Sequence, residues 1–145
     1  MQNIRIIEIP KCKMVSSGLG MFGEEKFTGF YEWFTNLPQS IYPKNFLYAQ
    51  DDKLCWLYLY NEMLNVPHDF EIIDFEGGLY SVATDIDQQT NTDEMDREVL
   101  EFLDKNGLVR DESRFKLGNV ITSPAAYKIL GYCQMDYYLP VKSKI

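Results

Sequence analysis

The sequence carries little of what the commonest catalytic and metal chemistries need. It has a single histidine, His68, which follows Pro67 in a polar stretch, so a Ser–His or Cys–His dyad would rest on one loop residue. Its three cysteines, Cys12, Cys55 and Cys133, are far apart and odd in number. That spacing provides neither a disulfide framework nor a zinc knuckle, and buried free thiols are expected. HxxxH and CxxC spacings are absent. The acidic stretch around Asp85, Asp87 and Asp93 lacks the glycine and terminal glutamate of a calcium loop. Gly18-Leu19-Gly20 is too short for a phosphate loop. No catalytic residue, metal or cofactor is expected.

Basic patches and long apolar runs are also missing. The 14 Lys and Arg are scattered among 22 Asp and Glu, leaving a net charge of −8. Such a chain has no positive stripe for a phosphate backbone and is repelled by anionic membranes, but it tolerates cationic or neutral ligands. No stretch approaches membrane-spanning length, and Met1-Gln2-Asn3-Ile4-Arg5 is not a basic-then-apolar leader. A soluble cytoplasmic protein is expected, with no direct nucleic-acid or membrane partner.

What the sequence has in quantity is apolar and aromatic surface. Hydrophobic residues make up 46% of 145 residues, with ten Tyr, nine Phe and two Trp. That is enough for one domain with a core. Ile4 to Ser17 alternates like a strand and breaks at Pro10, which has no N–H to give a ladder. Phe27, Phe30, Tyr31 and Phe34 recur at helical spacing before Pro38. Asn45–Gln50 and Lys53–Tyr60 make a hairpin turning at Asp51-Asp52.

After the polar connection 61–67 the order repeats. Phe70 to Asp85 is strand broken at Gly77-Gly78, and Ile6-Ile7-Glu8-Ile9 aligns with Ile72-Ile73-Asp74-Phe75. A capping box is expected at Asn91 and Glu94. Met95, Val99, Phe102 and Leu103 form a buried helical stripe that stops at Gly107. Phe115–Thr122 and Gly131–Val141 complete a second hairpin around a loop containing Pro124. The chain is therefore read as α+β and as one domain, 1–145, built from two βαββ repeats of about 1–64 and 68–145. The repeats are expected in a pseudo-twofold arrangement, with a groove at their junction suited to a ligand.

Several residues stand out as binding candidates. In the second hairpin strand, Leu54, Trp56, Tyr58 and Tyr60 share one face, and Cys55, Leu57 and Leu59 the other. The aliphatic face is expected to pack on a helix, leaving Trp56 and Tyr58 to wall a pocket, although such rings also serve as plain core. Trp33 sits beside Phe34 on the first helix, so one of the two points to the helix edge, where a cleft or a dimer interface could use it. Asp136 and Tyr138 take the related places in the second repeat, and Asp136 is a carboxylate set among Met135, Tyr137 and Tyr138.

The closing run Met135-Asp136-Tyr137-Tyr138-Leu139-Pro140-Val141, the segment Gly78-Leu79-Tyr80-Ser81-Val82-Ala83 and the turn Leu47-Tyr48-Ala49-Gln50-Asp51-Asp52 together resemble the GyrI-like, or bacterial transcription-activator effector-binding, domain family. The resemblance covers almost the whole chain. It implies a curved antiparallel sheet with two helices on one face and an aromatic ligand cleft on the other, which Tyr48 and Tyr80 approach. Many members also carry a glutamate in a Phe-Glu-x-Tyr-Leu context that meets cationic ligands. Here the stretch reads Arg114-Phe115-Lys116-Leu117-Gly118-Asn119, without it. No helix-turn-helix is read ahead of the first strand, and a complete DNA-binding regulator is not expected. The expected role is a stand-alone binding protein for a small aromatic or cationic organic ligand, linked to transcription regulation or toxin sequestration. Its expected ligand-binding residues are Trp33, Tyr48, Trp56, Tyr58, Tyr80, Asp136 and Tyr138. The alternatives are an inhibitor of a DNA-handling enzyme such as gyrase, acting through a protein partner, or a small hydrolase; a homodimer is a further expectation.

Overall fold

The computed structural model describes residues 3–87 and 92–145. In chain order the elements are β1 (Arg5–Ile9), β2 (Cys12–Ser16), α1 (Glu25–Thr35), β3 (Asn45–Gln50), β4 (Lys53–Leu59), β5 (Glu71–Phe75), β6 (Gly78–Ile86), α2 (Thr92–Lys105), β7 (Leu108–Arg110), β8 (Leu117–Val120), α3 (Pro124–Leu130) and β9 (Gln134–Ser143). The class is α+β, and two βαββ repeats are present. Every strand pairing within the two compact units is antiparallel.

The chain forms two such units, Pro10–Gly77 and the residues up to Ile9 with Gly78–Ile145. The boundaries fall on the two breaks read in the sequence. Pro10, which has no N–H, separates β1 from β2. Gly77 and Gly78, at φ 73° and 127°, separate β5 from β6 in a conformation that side chains other than hydrogen resist. Each repeat's leading strand therefore pairs within the unit built mostly from the other repeat. β1 lies against β6, and β5 lies against β2. The two short strands read as matching sequence, around Ile7 and Ile73, do matching work.

In the 10–77 unit the strand order is β5-β2-β4-β3. β3 and β4 join through Asp51-Asp52, both at positive φ (51° and 64°). This is the two-residue primed turn that suits the twist of a hairpin, and aspartate tolerates it. α1 presents Phe27, Phe30 and Phe34 to the sheet. They meet Val15, Trp56 and Tyr58 in the core, and ring pairs such as Phe30–Phe70 and Phe34–Trp56 lie edge-on with centroids 4.8 and 5.3 Å apart. Edge-to-face pairs are favoured by the ring quadrupole and add about 0.5–1.5 kcal/mol each beyond their buried area.

In the 78–145 unit, β9 is the central strand. β6 pairs along one edge, and β8 and β7 share the other. α2 buries Met95, Val99 and Leu103 against Ala83 and Val141, the stripe expected from spacing, and Gly107 closes it at φ 69°. Asn91, the expected cap, lies outside the described residues. The connection around Pro124, read as loop, is instead the short helix α3. Ser123 accepts a hydrogen bond from Ala126 N at 3.1 Å, Pro124 opens the first turn, and Gly131 ends it in the left-handed region. Ser-Pro at the start and Gly at the end were the legible signals for this helix.

Candidate functional site

Strand alternation divides β6 and β9 of the 78–145 unit into two faces. Ala83, Tyr137, Leu139 and Val141 turn to α2. Tyr80, Val82 and Thr84 on β6, and Asp136, Tyr138 and Pro140 on β9, occupy the opposite face. Register then assembles two rows there. Arg5, Val82, Tyr138 and Leu117 stand side by side, as do Thr84, Asp136 and Asn119. Three residues expected at a binding site, Tyr80, Asp136 and Tyr138, are thus brought together.

Asp136 is 6% exposed and its carboxylate is fully engaged. Oδ2 accepts from Arg5 Nη2 at 3.2 Å, and Oδ1 accepts a hydrogen bond from the Thr84 hydroxyl. A buried carboxylate needs such partners, because desolvation otherwise disfavours its charge. The Tyr138 hydroxyl donates to Asn119 Oδ1 at 3.2 Å. Burial, with a smaller push from the Asp136 charge, raises the Tyr138 phenol above its ordinary range, so it remains a donor at neutral pH. The Tyr80 ring meets Tyr138 nearly at right angles, 6.3 Å between centroids. Arg114 also meets it, with its guanidinium carbon 4.8 Å from the Tyr80 ring centre.

Arg114 holds this face together. Its Nη2 donates to the carbonyls of Leu79 and Val141, each at 2.9 Å, and its Nε to Asp111 at 3.0 Å. A Cβ on Gly78 would come within 2.4 Å of that guanidinium, so the glycine in the Gly-Leu-Tyr motif makes room for the arginine. Hydrogen bonds from Ser113 and Arg114 hold the Asp111 carboxyl down to about 2.

The other expected residues lie in the 10–77 unit. Here the assignment of faces is corrected: the aromatic face of β4, not the aliphatic one, packs on the helix. Trp56 touches Phe27 and Phe34, and Tyr58 touches Phe34 and Trp33. The reason is complementarity, since α1 offers only rings on its inner stripe. Trp33 stands at the edge of this cluster and donates through Nε1 to the Asn65 carbonyl at 3.2 Å. Tyr48 lies opposite Cys55 on the face turned away from α1, and burial, reinforced by Cys55, pushes its phenol up to about 12. Asp136 and Tyr138 are consequently not the counterparts of Trp56 and Tyr58. They lie on the face away from the helix, whereas the tryptophan and its neighbour lie beneath one. A one-residue difference in phase exchanges the two sides of a strand.

Sequence reasoning missed Arg5, Thr84, Asn119 and Arg114. Arg5, Thr84 and Asn119 become visible only through strand register, and Arg114 only through its hydrogen bonds to Leu79 and Val141. His68 is exposed beside Asp69, and no group of three or more His, Cys, Asp or Glu among the described residues could hold a metal. No helix among the described residues is long and apolar enough to cross a membrane.

No family model and no curated protein matches the sequence. Solved structures do match the fold. The EcmrR C-terminal domain is 9% identical, with 99% of each chain covered and a TM-score of 0.65. A hydrolase from Listeria innocua is 11% identical, with 97% of this chain and 92% of that chain covered and a TM-score of 0.66. SAV2435 bound to tetraphenylphosphonium is 10% identical, with 97% and 94% covered and a TM-score of 0.53.

Proposed function

We propose that this chain, which has the fold of the GyrI-like effector-binding domain, binds a small aromatic organic cation at the face formed by Asp136, Tyr138 and Tyr80. The observation that carries the reading is the contrast inside one ion pair. The Asp136 side chain is 9% exposed, while that of its partner Arg5 is 55% exposed. A ligand cation can take the place of the half-exposed guanidinium without leaving the buried carboxylate unpaired. Phenol rings beside that carboxylate add the quadrupole attraction that organic cations find over aromatic faces. The net charge of −8 favours a cationic guest. The structural likeness to SAV2435, which carries tetraphenylphosphonium, supports the same ligand class.

In this reading Thr84 orients the carboxylate, and Asn119 holds the Tyr138 hydroxyl turned away from the guest. Tyr80, anchored by Arg114, backs Tyr138 edge-on. The residue doing the recognition is Asp136, on β9, and not the glutamate that related domains carry in the stretch corresponding to 114–119. The chain would act as a sensor, a buffer or a sequestering protein for such compounds.

Thermal denaturation with tetraphenylphosphonium, other lipophilic cations and neutral planar compounds tests this. A cation at about 100 times its Kd raises stability by about 2.7 kcal/mol, and neutral analogues raise it less. Asp136→Asn weakens cation binding about tenfold or more, as expected when a charged hydrogen-bond acceptor is lost. Arg5→Ala strengthens it by removing the internal competitor. A flat response to every cation, or an Asp136→Asn variant that binds them as the parent does, would overturn the assignment.

A further inference from the structure

A second feature of the 78–145 unit lies on the other side of its sheet, beneath α2. A cavity of about 190 Å³ opens between the helix and the strands, with Ala83, Met95, Val99 and Leu139 among its apolar walls. The exposed members of its lining are Asp96 and Lys116, which mark the mouth and carry opposite charges. Ser81 also lines it. Its side chain is only 1% exposed, and its hydroxyl has no hydrogen-bond partner among the described residues.

That hydroxyl is costly as it stands. A buried polar group without a partner loses its hydration and gains nothing in return, and natural cores contain few of them. Ser81 sits in mid-strand between Tyr80 and Val82, where an alanine or valine would fit the pleat and the apolar surroundings equally well. Both facts are accounted for if the hydroxyl's partner belongs to a guest. Size and lining narrow the class. An engineered apolar cavity of about 150 Å³ holds one benzene ring, so about 190 Å³ takes a single ring with one small substituent. Walls of Ala, Met, Val and Leu, with Tyr137 and Tyr138 beside them, select a largely apolar body, and the balanced charges at the mouth favour a neutral molecule.

We propose that the cavity beneath α2 is a binding site for a neutral single-ring aromatic compound bearing one hydroxyl, held by a hydrogen bond to Ser81 Oγ. The site lies on the face opposite Asp136, shares Tyr138 with the proposed cation site, and does not depend on the cation-binding reading. Its geometry suits a phenol: the ring lies among Met95, Val99 and Leu139, and its hydroxyl meets Ser81, which can donate or accept.

Nitrogen–proton correlation spectra of the full chain, titrated separately with phenol and toluene, test the assignment. Phenol is expected to give saturable shifts at the amides of Ser81, Ala83, Val99 and Leu139. Ser81→Ala weakens phenol about tenfold, the usual consequence of losing one hydrogen bond, and leaves toluene binding unchanged. Val99→Phe fills the cavity and abolishes both. Should that variant lose its spectral dispersion, Ser81→Val supplies the block with a residue suited to a strand. Asp136→Asn leaves phenol binding intact. The proposal is overturned if phenol produces no saturable shifts or if the shifts gather on the Asp136 face. Equal weakening of phenol and toluene by Ser81→Ala overturns it as well.

Discussion

The two units of this protein solve the same packing problem with different side chains, and in one of them a cavity opens beneath the helix. Both lay a helix on an antiparallel sheet. In the 10–77 unit, α1 brings Phe27, Phe30 and Phe34 against Trp56 and Tyr58, and the rings interlock in edge-on and stacked pairs. In the 78–145 unit, α2 brings Met95, Val99 and Leu103 against Ala83 and Val141, and a cavity remains beside Ser81. Rings fill space broadly and lock their neighbours, while Ala and Val on facing positions leave a gap that only longer side chains or a guest would fill. Shared topology therefore does not imply shared function. The difference arises in side-chain volume, not in the path of the chain.

The largest test of this contrast is removal of a ring from the aromatic unit. Phe30 is fully buried, and Phe30→Ala is expected to cost about 3–5 kcal/mol in a denaturant melt. Met95→Ala, at a wall that already borders free volume, should fall at the low end of the range for such truncations, about 2 kcal/mol. Equal losses at the two sites would mean that the cavity does not soften its surroundings.

Next in size is Gly78→Ala. The added Cβ meets the Arg114 guanidinium, and the backbone sits at φ 127°. A strained position of this kind costs about 1–3 kcal/mol. A variant as stable as the parent would show that Arg114 can move without loss.

A sharper comparison sets two polar residues of one unit against each other. Asn119→Ala leaves the Tyr138 hydroxyl without its acceptor and is expected to destabilise by about 1–3 kcal/mol. Ser81→Ala removes a hydroxyl that has no partner, so it should be neutral or stabilising by up to about 1 kcal/mol. Calorimetry on the pair decides whether satisfied and unsatisfied buried groups differ here in sign.

The smallest effect concerns acid. Asp111 is lowered from 3.8 to about 2 in the folded state by Ser113 and Arg114. A depressed carboxyl stabilises the fold above its unfolded value and loses that contribution as pH falls from about 4 towards 2. Asp111→Asn should flatten stability against pH over that window alone. An unchanged slope would show that the carboxylate titrates as it does unfolded.

Much of the architecture was legible because it rests on local rules. The spacing Met95, Val99, Leu103 can bury only as a helix, and Asp51-Asp52 between two alternating runs is a hairpin turn. Pro10 and Gly77-Gly78 interrupt their strands in matching places. The proposed site was legible in part. Asp136 and Tyr138 stand two apart on one strand, so they had to share a face, and Tyr80 entered through its motif. Arg5 and Asn119 are far away in sequence, and no pattern within either segment points to the other. Trp56 and Tyr58 were assigned to the wrong side because alternation separates two faces without saying which one a helix will cover.

By itself the sequence determined the repeat, the class of each long element and the supply of rings and carboxylates, since these follow from periodicity, chain stiffness and composition within a few residues. Tertiary structure alone decided which face of each sheet meets a helix and which cation pairs with Asp136. It also decided that Ser81 would be buried beside open space. Those outcomes depend on strand register and on the fit between distant side chains, and both are set only when separate segments pack against one another.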